Sequence, residues 1–183
     1  MKNKNIEVEV RSFVNDKQYS EILSKLRKGA RFIKEIDEET VYFSGNKDLR
    51  LRRNEKEALL ILKEGRIHDD HRKEFEVKFD VSDFENMENL LKSLGYEIEI
   101  RWRRYRLEFK QGDLKILLDN TKGYGKIIEL EKMVQAGEEK ETHKKLKDKL
   151  KCFNIEITSK KEFNKAFEYY KKNWRGLIRD FSF

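Results

Sequence analysis

The chain has no proline, one cysteine and only nine glycines among its 183 residues. Each shortage excludes something. The lone Cys152 rules out an internal disulfide framework, and no C-x-x-C pair or Cys/His cluster offers the spacing of a zinc site. Such cysteine usage fits a reducing compartment, so a cytoplasmic location is expected. Without proline there is no Pro-rich linker, and turns fall to Gly, Asn and Asp. Met1 leads into the polar stretch Lys2-Asn3-Lys4-Asn5. No apolar run has the length of a signal peptide core or a membrane span. A soluble protein with no membrane partner is expected.

Charge is abundant instead, at 42% of residues with a formal net charge of +7 and a pI near 9.3. That balance favours anionic partners, although nucleic acid, phosphate metabolites and membrane surfaces satisfy it equally. With 37% hydrophobic content, the length suits one domain with a sizeable core. The expected organisation is a single domain over residues 1–183, with a core about 5–134 and a C-terminal helical segment about 138–175.

Periodicity predicts a strand at 5–14 and an amphipathic helix from Asp16 to Lys28, with Tyr19, Ile22, Leu23 and Leu26 on one stripe. Short strands follow at 31–36, 39–44, 48–53, 57–64 and 71–80, separated by polar turns such as Ser44-Gly45-Asn46. A second helix is expected from Ser82 to Leu94, with Ser82 as its N-cap, Glu85 completing a capping box and Gly95 after its end. Three more strands fit 97–109, 113–119 and 125–134. Helices are expected at Glu138–Leu150 and Ser159–Trp174, the latter with Phe163, Phe167, Tyr170 and Trp174 as a packing stripe.

Within the strands one device recurs. Glu7-Val8-Glu9-Val10-Arg11, Glu74-Phe75-Glu76-Val77-Lys78 and Glu129-Leu130-Glu131 each place two carboxylates two residues apart, hence on one face. Arg50-Leu51-Arg52 and Arg101-Trp102-Arg103 do the same with guanidinium groups. Any single such pair reads most simply as the wet face of an antiparallel sheet. The joint pattern, nearly always with apolar residues on the other parity, points further. A sheet curled so that these faces meet would enclose both signs of charge. Such a space suits a divalent cation held by carboxylate oxygens and a polyphosphate held by Arg and Lys.

In order and spacing, Glu7-x-Glu9-x-Arg11, Leu49-Arg50-Leu51-Arg52, Leu62-Lys63, Arg72-x-Glu74-x-Glu76, Arg101-x-Arg103, Asp119 and Gly123-Tyr124-Gly125-x-x-x-Glu129-Leu130-Glu131 resemble the CYTH family. These are the triphosphate tunnel metalloenzymes, among them class IV adenylyl cyclases, thiamine triphosphatases and inorganic triphosphatases. The resemblance covers about residues 5–134. It implies an α+β fold: a closed, mostly antiparallel β-barrel, the triphosphate tunnel, with helices packed outside. It also implies metal ligation of Mg2+ or Mn2+ by Glu7, Glu9, Asp119, Glu129 and Glu131. Phosphate binding falls by the same resemblance to Arg50, Arg52, Lys63, Arg72, Lys78, Arg101 and Arg103, and the catalytic candidates are Arg11, Glu74 and Glu76. The chemistry agrees with the residue types, because Mg2+ prefers oxygen ligands and bridges to phosphates, while Arg presents a rigid fork to phosphate oxygens.

One departure matters. The family's signature is usually E-x-E-x-K, whereas Arg11 holds the last position here. Arg stays protonated near neutral pH and cannot serve as a base, but it can clamp phosphate.

The implied function is hydrolysis of a phosphoanhydride in ATP, tripolyphosphate or thiamine triphosphate. The first alternative is a class IV adenylyl cyclase. Lys2-Asn3-Lys4-Asn5 lacks the His-Phe element that many cyclases carry, which favours hydrolysis, while Arg11 favours cyclisation. The second alternative is a module that binds polyphosphate, nucleotide or RNA ends without catalysis. Nucleic acid is not the expected partner, since no DNA-binding motif is present, and the chain is expected as a monomer or homodimer. His68 and His71 read as a solvated hairpin tip, Trp102 and Tyr105 as packing residues, and the Lys144-to-Lys151 run as a solvated helix face.

Overall fold

A computed structural model describes residues 6–64 and 73–179, apart from the side chains of Glu64, Lys73 and Glu74. Within it the elements are β1 (Ile6–Val14), α1 (Asp16–Gly29), β2 (Arg31–Phe43), β3 (Asp48–Arg53), β4 (Ala58–Glu64), β5 (Lys73–Phe79), α2 (Phe84–Ser93), β6 (Ile98–Gln111), β7 (Leu114–Thr121), β8 (Gly125–Val134), α3 (Glu139–Cys152) and α4 (Lys160–Leu177). The strands form one eight-stranded sheet in the order β1-β8-β7-β6-β2-β3-β4-β5. The expected α+β class with an antiparallel sheet is therefore what the chain adopts. By hydrogen bonding, β1 and β5 are the two ends of that sheet. None of the described helices is long and apolar enough to cross a membrane.

The chain divides into two compact units, Met1–Ile36 with Tyr105–Glu168 and Asp37–Arg104 with Tyr169–Phe183. In the first, Val8, Val10 and Val14 of β1, Leu107 and Phe109 of β6, Ile116 and Leu118 of β7, and Ile128, Leu130 and Val134 of β8 are buried in one core with Ile22 and Leu26 of α1 and Leu146 and Leu150 of α3. Strand alternation then sends Glu7, Glu9, Arg11, Glu129 and Glu131 to the opposite face. The ladder sets Glu9 opposite Glu131 and Arg11 opposite Glu129. Coil residues cover the outer side of β1, where the Phe13 N–H donates to Thr158 Oγ1 at 2.9 Å and the Thr158 N–H donates to Ser12 Oγ at 2.9 Å. Ser12 is fully buried there, its hydroxyl donating to the Glu156 carbonyl.

The second unit packs Val41, Phe43, Leu49, Leu51 and Ala58 against Phe84 and Leu91 of α2. Its part of α4 is fixed by Tyr170, whose hydroxyl donates to the Arg101 carbonyl at 2.8 Å, and Trp174, whose Nε1 donates to the Glu99 carbonyl at 2.9 Å. Phe163, Tyr170 and Trp174 are buried, so three of the four aromatic stripe residues pack as expected, while Phe167 is 40% exposed.

Two local expectations differ. The strands read at 31–36 and 39–44 are one continuous β2, because the polar Asp37-Glu38 step is paired rather than turned: Arg103 donates to Asp37 at 3.0 Å and Arg104 donates to Glu38. Nor is Ser82 the cap of α2. The Asp80 carboxylate accepts from the Ser82 N–H at 2.8 Å, creating a single 3-10 turn at Val81–Asp83, and α2 starts at Phe84. Glu85 pairs with Arg53 at 2.6 Å instead of closing a capping box.

The stripe on α4 can be tested by truncation. Trp174→Ala should cost about 3–5 kcal/mol of unfolding free energy, since it deletes a large buried ring and strands the Glu99 carbonyl. Phe167→Ala should cost less than about 1 kcal/mol. Denaturant midpoints measure both, and equal losses would contradict this packing.

Candidate metal and phosphate site

Among the described residues, Glu7, Glu9 and Glu131 bring carboxylate oxygens within 4.8 Å of one another. Strand pairing produces this meeting: β1 lies beside β8, and the tight turn before β8 fixes the register. That turn needs glycine, with Gly123 at φ +70° and Gly125 at φ +133°, and a Cβ on Gly125 would sit 3.4 Å from the Phe13 ring. Thr121 then pairs with Gly125, Asp119 with Ile127 and Leu117 with Glu129.

Two cations that the sequence reading did not single out enter this acidic face. Arg106 donates to Asp119 through Nε and Nη2, both at 2.6 Å, and through Nη2 to Glu129 at 3.1 Å. Lys115 donates to Glu131 at 2.6 Å. The signal for Arg106 lay in Leu107-x-Phe109, both buried in the first core, which assigns Arg106 to the opposite face. Reading β6 from Arg101 and Arg103 alone concealed it. Ile100 and Leu107 are both buried although an odd number of positions apart, so burial alone does not tell the two faces of β6 apart.

The charges on this face are under strain. Burial, a hydrogen bond with the Glu9 carboxyl and the Glu9 charge push Glu129 up to about 8, against the pull of Arg106. Glu7 is also raised, by burial and then by the Glu131 charge. A cluster of hard oxygen donors whose members resist ionising side by side is the donor set a divalent cation relieves. The residues present therefore fit such an ion.

The cationic candidates of the second unit form a separate row. The ladders set Arg50 opposite Ile61, Arg52 opposite Leu59, and Lys63 opposite Asp48. On the next strand Glu76 lies opposite Ile61, Lys78 opposite Leu59, and Glu74 opposite Lys63 at backbone level. Arg50, Arg52, Lys63, Glu76 and Lys78 thus share one face, as does Tyr42, opposite Arg50. Arg50 is braced by Asp48 through Nε at 2.5 Å and Nη2 at 2.6 Å, and lies 4.6 Å over the Tyr42 ring. Arg52 donates to Glu76 at 3.4 Å, and Lys78 to Glu57 at 2.7 Å.

Arg101 and Arg103 are not brought to that face. Arg101 donates to Glu39 and, at 2.6 Å, to Glu88 of α2. Glu39 lies opposite Arg53 and shares the α2-covered parity of Val41 and Phe43. Arg103 pairs with Asp37, two positions before Glu39. Arg104 instead pairs with the buried Glu38, whose parity is that of Thr40 and Tyr42. Arg11, opposite Glu129, lies 4.8 Å over the Phe163 ring. Arg72, the side chain of Glu74, and His68 and His71 lie outside the described residues. Tyr105 donates to Glu35 at 2.6 Å, and Trp102 meets Tyr170 edge to face at 4.9 Å between ring centres.

The CYTH domain model matches residues 5–167, and the chain belongs to the CYTH domain family. Membership implies a divalent metal. A protein of Methanocaldococcus jannaschii named "Putative adenylate cyclase" is 28% identical over 160 residues, covering 82% of this chain and 90% of its own. A solved structure from Pyrococcus horikoshii is similar with a TM-score of 0.64 at 25% identity, covering 90% of this chain and 99% of its own. A Hippeastrum protein, whose structure is described as a "Putative adenylyl cyclase" with a dominant triphosphatase activity, shares the fold with a TM-score of 0.63 at 16% identity, over 90% of this chain and 96% of its own.

The raised Glu129 sets a pH dependence. A carboxyl whose folded pKa of about 8 exceeds its ordinary 4.5 holds its proton more tightly when folded. The linked stability is full below the ordinary value and is lost as pH rises through the folded one. In chelator, the melting temperature of the wild type should therefore fall between about pH 5 and pH 8.5 relative to Glu129→Gln, whose profile should be flatter. Parallel profiles from differential scanning calorimetry would contradict the strained cluster.

Proposed function

We propose that this chain is a metal-dependent triphosphatase, one functional domain over residues 1–183, that hydrolyses a terminal phosphoanhydride of ATP, tripolyphosphate or thiamine triphosphate. The observation that carries the reading is the convergence of Glu7, Glu9 and Glu131 beside a Glu129 pushed up to about 8. The family match, which spans both units, supports it. Glu7, Glu9, Glu129 and Glu131, with Asp119, would hold Mg2+ or Mn2+. Such an ion supplies Lewis acidity towards phosphoryl oxygens and offsets their charge.

The chain's own residues do the rest. Arg50, Arg52, Lys63, Lys78 and Arg72 bind phosphate oxygens, with Arg50 pre-oriented by Asp48 and Tyr42, so that little side-chain freedom is lost on binding. Arg101 and Arg103, paired with Glu39, Glu88 and Asp37 on the other face, are left out of this role. Glu74 and Glu76 are the proposed catalytic carboxylates. Arg11 remains a cation and orients phosphate rather than taking a proton. In hydrolysis, water oxygen bonds to the terminal phosphorus, the bond to the bridging oxygen breaks and that oxygen leaves with the diphosphate product, and orthophosphate and a proton are released. Cytoplasmic location fits the single, exposed Cys152.

A second reading is cyclisation of ATP, in which the ribose 3′-oxygen attacks the α-phosphorus and pyrophosphate departs. The name of the Methanocaldococcus relative favours it. Incubation with each triphosphate in Mg2+ and Mn2+, followed by product separation, decides between the two. Orthophosphate is expected, and cyclic AMP with pyrophosphate would replace the first reading by the second. Glu9→Gln should lower turnover about a hundredfold or more even at raised metal. Arg50→Ala or Arg52→Ala should raise KM by about tenfold or more, with Lys147→Ala near wild type. Absent turnover on every triphosphate, with tripolyphosphate binding indifferent to Glu9→Gln, would mark a binding module instead.

A further inference from the structure

Among the described residues Arg11 forms no ion pair with a carboxylate, although Glu129 lies opposite it on β8 and Glu9 precedes it by two positions on the same face. Arg50, Arg52 and Arg106 do engage carboxylates. The Arg11 Cζ lies instead 4.8 Å over the centre of the Phe163 ring. A guanidinium taken by a ring keeps its in-plane N–H donors for another partner.

That ring is brought to Arg11 by ties made within the first unit. Residues 155–159 are fastened to β1: the buried Ser12 hydroxyl donates to the Glu156 carbonyl and accepts from the Thr158 N–H at 2.9 Å, while the Phe13 N–H donates to Thr158 Oγ1 at 2.9 Å. Helix α4 then starts on a reciprocal cap. The Ser159 N–H donates to Glu162 Oε2 at 2.8 Å, and the Glu162 N–H donates to Ser159 Oγ at 3.2 Å. Phe163 follows, 8% exposed, its ring stacked on Phe13 at 4.6 Å between centres and 27° between planes. Phe13 in turn meets Tyr124 edge to face at 5.3 Å. Arg11 and Phe13 stand two positions apart on β1, so the Phe163 ring touches the face that also holds the carboxylates.

We propose that Phe163 is a positioning residue for phosphate binding: it holds the Arg11 guanidinium by attraction to its ring and leaves the edge N–H groups to phosphoryl oxygens. Cation–π attraction restrains the side chain before the anion arrives, so less freedom is lost when the fork closes on two oxygens. The same seat gives a reason for arginine where the family's signature has lysine. An ammonium is a compact point charge on a flexible stem, with no plane to lay against a ring and no fork to keep in register. The proposal rests on the reading of Arg11 as a phosphate-orienting cation.

Calorimetric titration of the full chain with tripolyphosphate in chelator, where binding is read without turnover, tests it. Arg11→Ala should weaken binding about tenfold or more. Phe163→Leu and Phe163→Met, two ring-free variants of similar bulk, should each weaken it about three- to tenfold, while Phe163→Tyr, which keeps the ring, should stay within about twofold of wild type. In the Arg11→Ala background either ring-free change should shift affinity by less than about twofold, because its effect passes through Arg11. A ring that only supported the fold would weaken both backgrounds alike. A wild type that binds no tripolyphosphate, or an Arg11→Ala variant that binds as tightly as wild type, would overturn the phosphate reading of Arg11 and the proposal with it. Loss of affinity in Arg11→Ala but in neither ring-free variant, or equal losses in both backgrounds, would overturn the positioning role alone.

Discussion

Mutual repulsion among carboxylates on adjacent strands is the constraint around which the first unit is organised. Glu7 and Glu9 on β1 and Glu129 and Glu131 on β8 point the same way because Val8, Val10, Ile128 and Leu130 are buried on the other face. Hydrophobic burial on one side thus forces like charges together on the other. The repulsion is answered locally: Lys115 neutralises Glu131, and Arg106 ties Asp119 to Glu129. Glu129 still rises to about 8, first through its burial and then through Glu9, so Arg106 does not offset the cost of ionising it. Such an arrangement, kept at a cost in stability, supports the proposed cation site.

In the second unit the guanidinium groups are held by carboxylates and a ring of the same sheet. Asp48 and Tyr42 brace Arg50, and Glu76 engages Arg52 more loosely at 3.4 Å. A phosphate arriving at this row would exchange carboxylate partners for its own oxygens. The gain on binding is then a difference between two charge-assisted contacts rather than the full strength of one.

How much of this was legible in the sequence depends on the range of the interaction. The acidic strands could be read because alternation is local: Val8 and Val10 announce where Glu7 and Glu9 must point. Helix α1 was legible for the same reason, through its apolar stripe, whereas α3 was expected from its Lys/Glu-rich composition as an exposed helix and in fact buries Thr142, Leu146 and Leu150. β2 was misread as two strands because the partners that neutralise Asp37 and Glu38 lie far along the chain on β6, at Arg103 and Arg104. The guanidinium row on β6 was read one face out of place, since Trp102 was taken to mark the core parity whereas Leu107 and Phe109 mark it, and Arg106 was missed with it. Asp80 as a cap could have been seen two residues before Ser82, but the Ser82–Glu85 pair matched the helix-start pattern more fully.

The central claim, that the carboxylate face holds a divalent cation, is tested most directly by the melting temperature of the wild type at about pH 8 with and without metal. Saturating Mg2+ or Mn2+ at about 100 times its dissociation constant stabilises by about 2.7 kcal/mol, roughly 5–10 °C for a chain of this size. The account predicts that rise relative to chelator, and its disappearance in Glu9→Gln. An identical melting temperature in metal and in chelator for the wild type would contradict it.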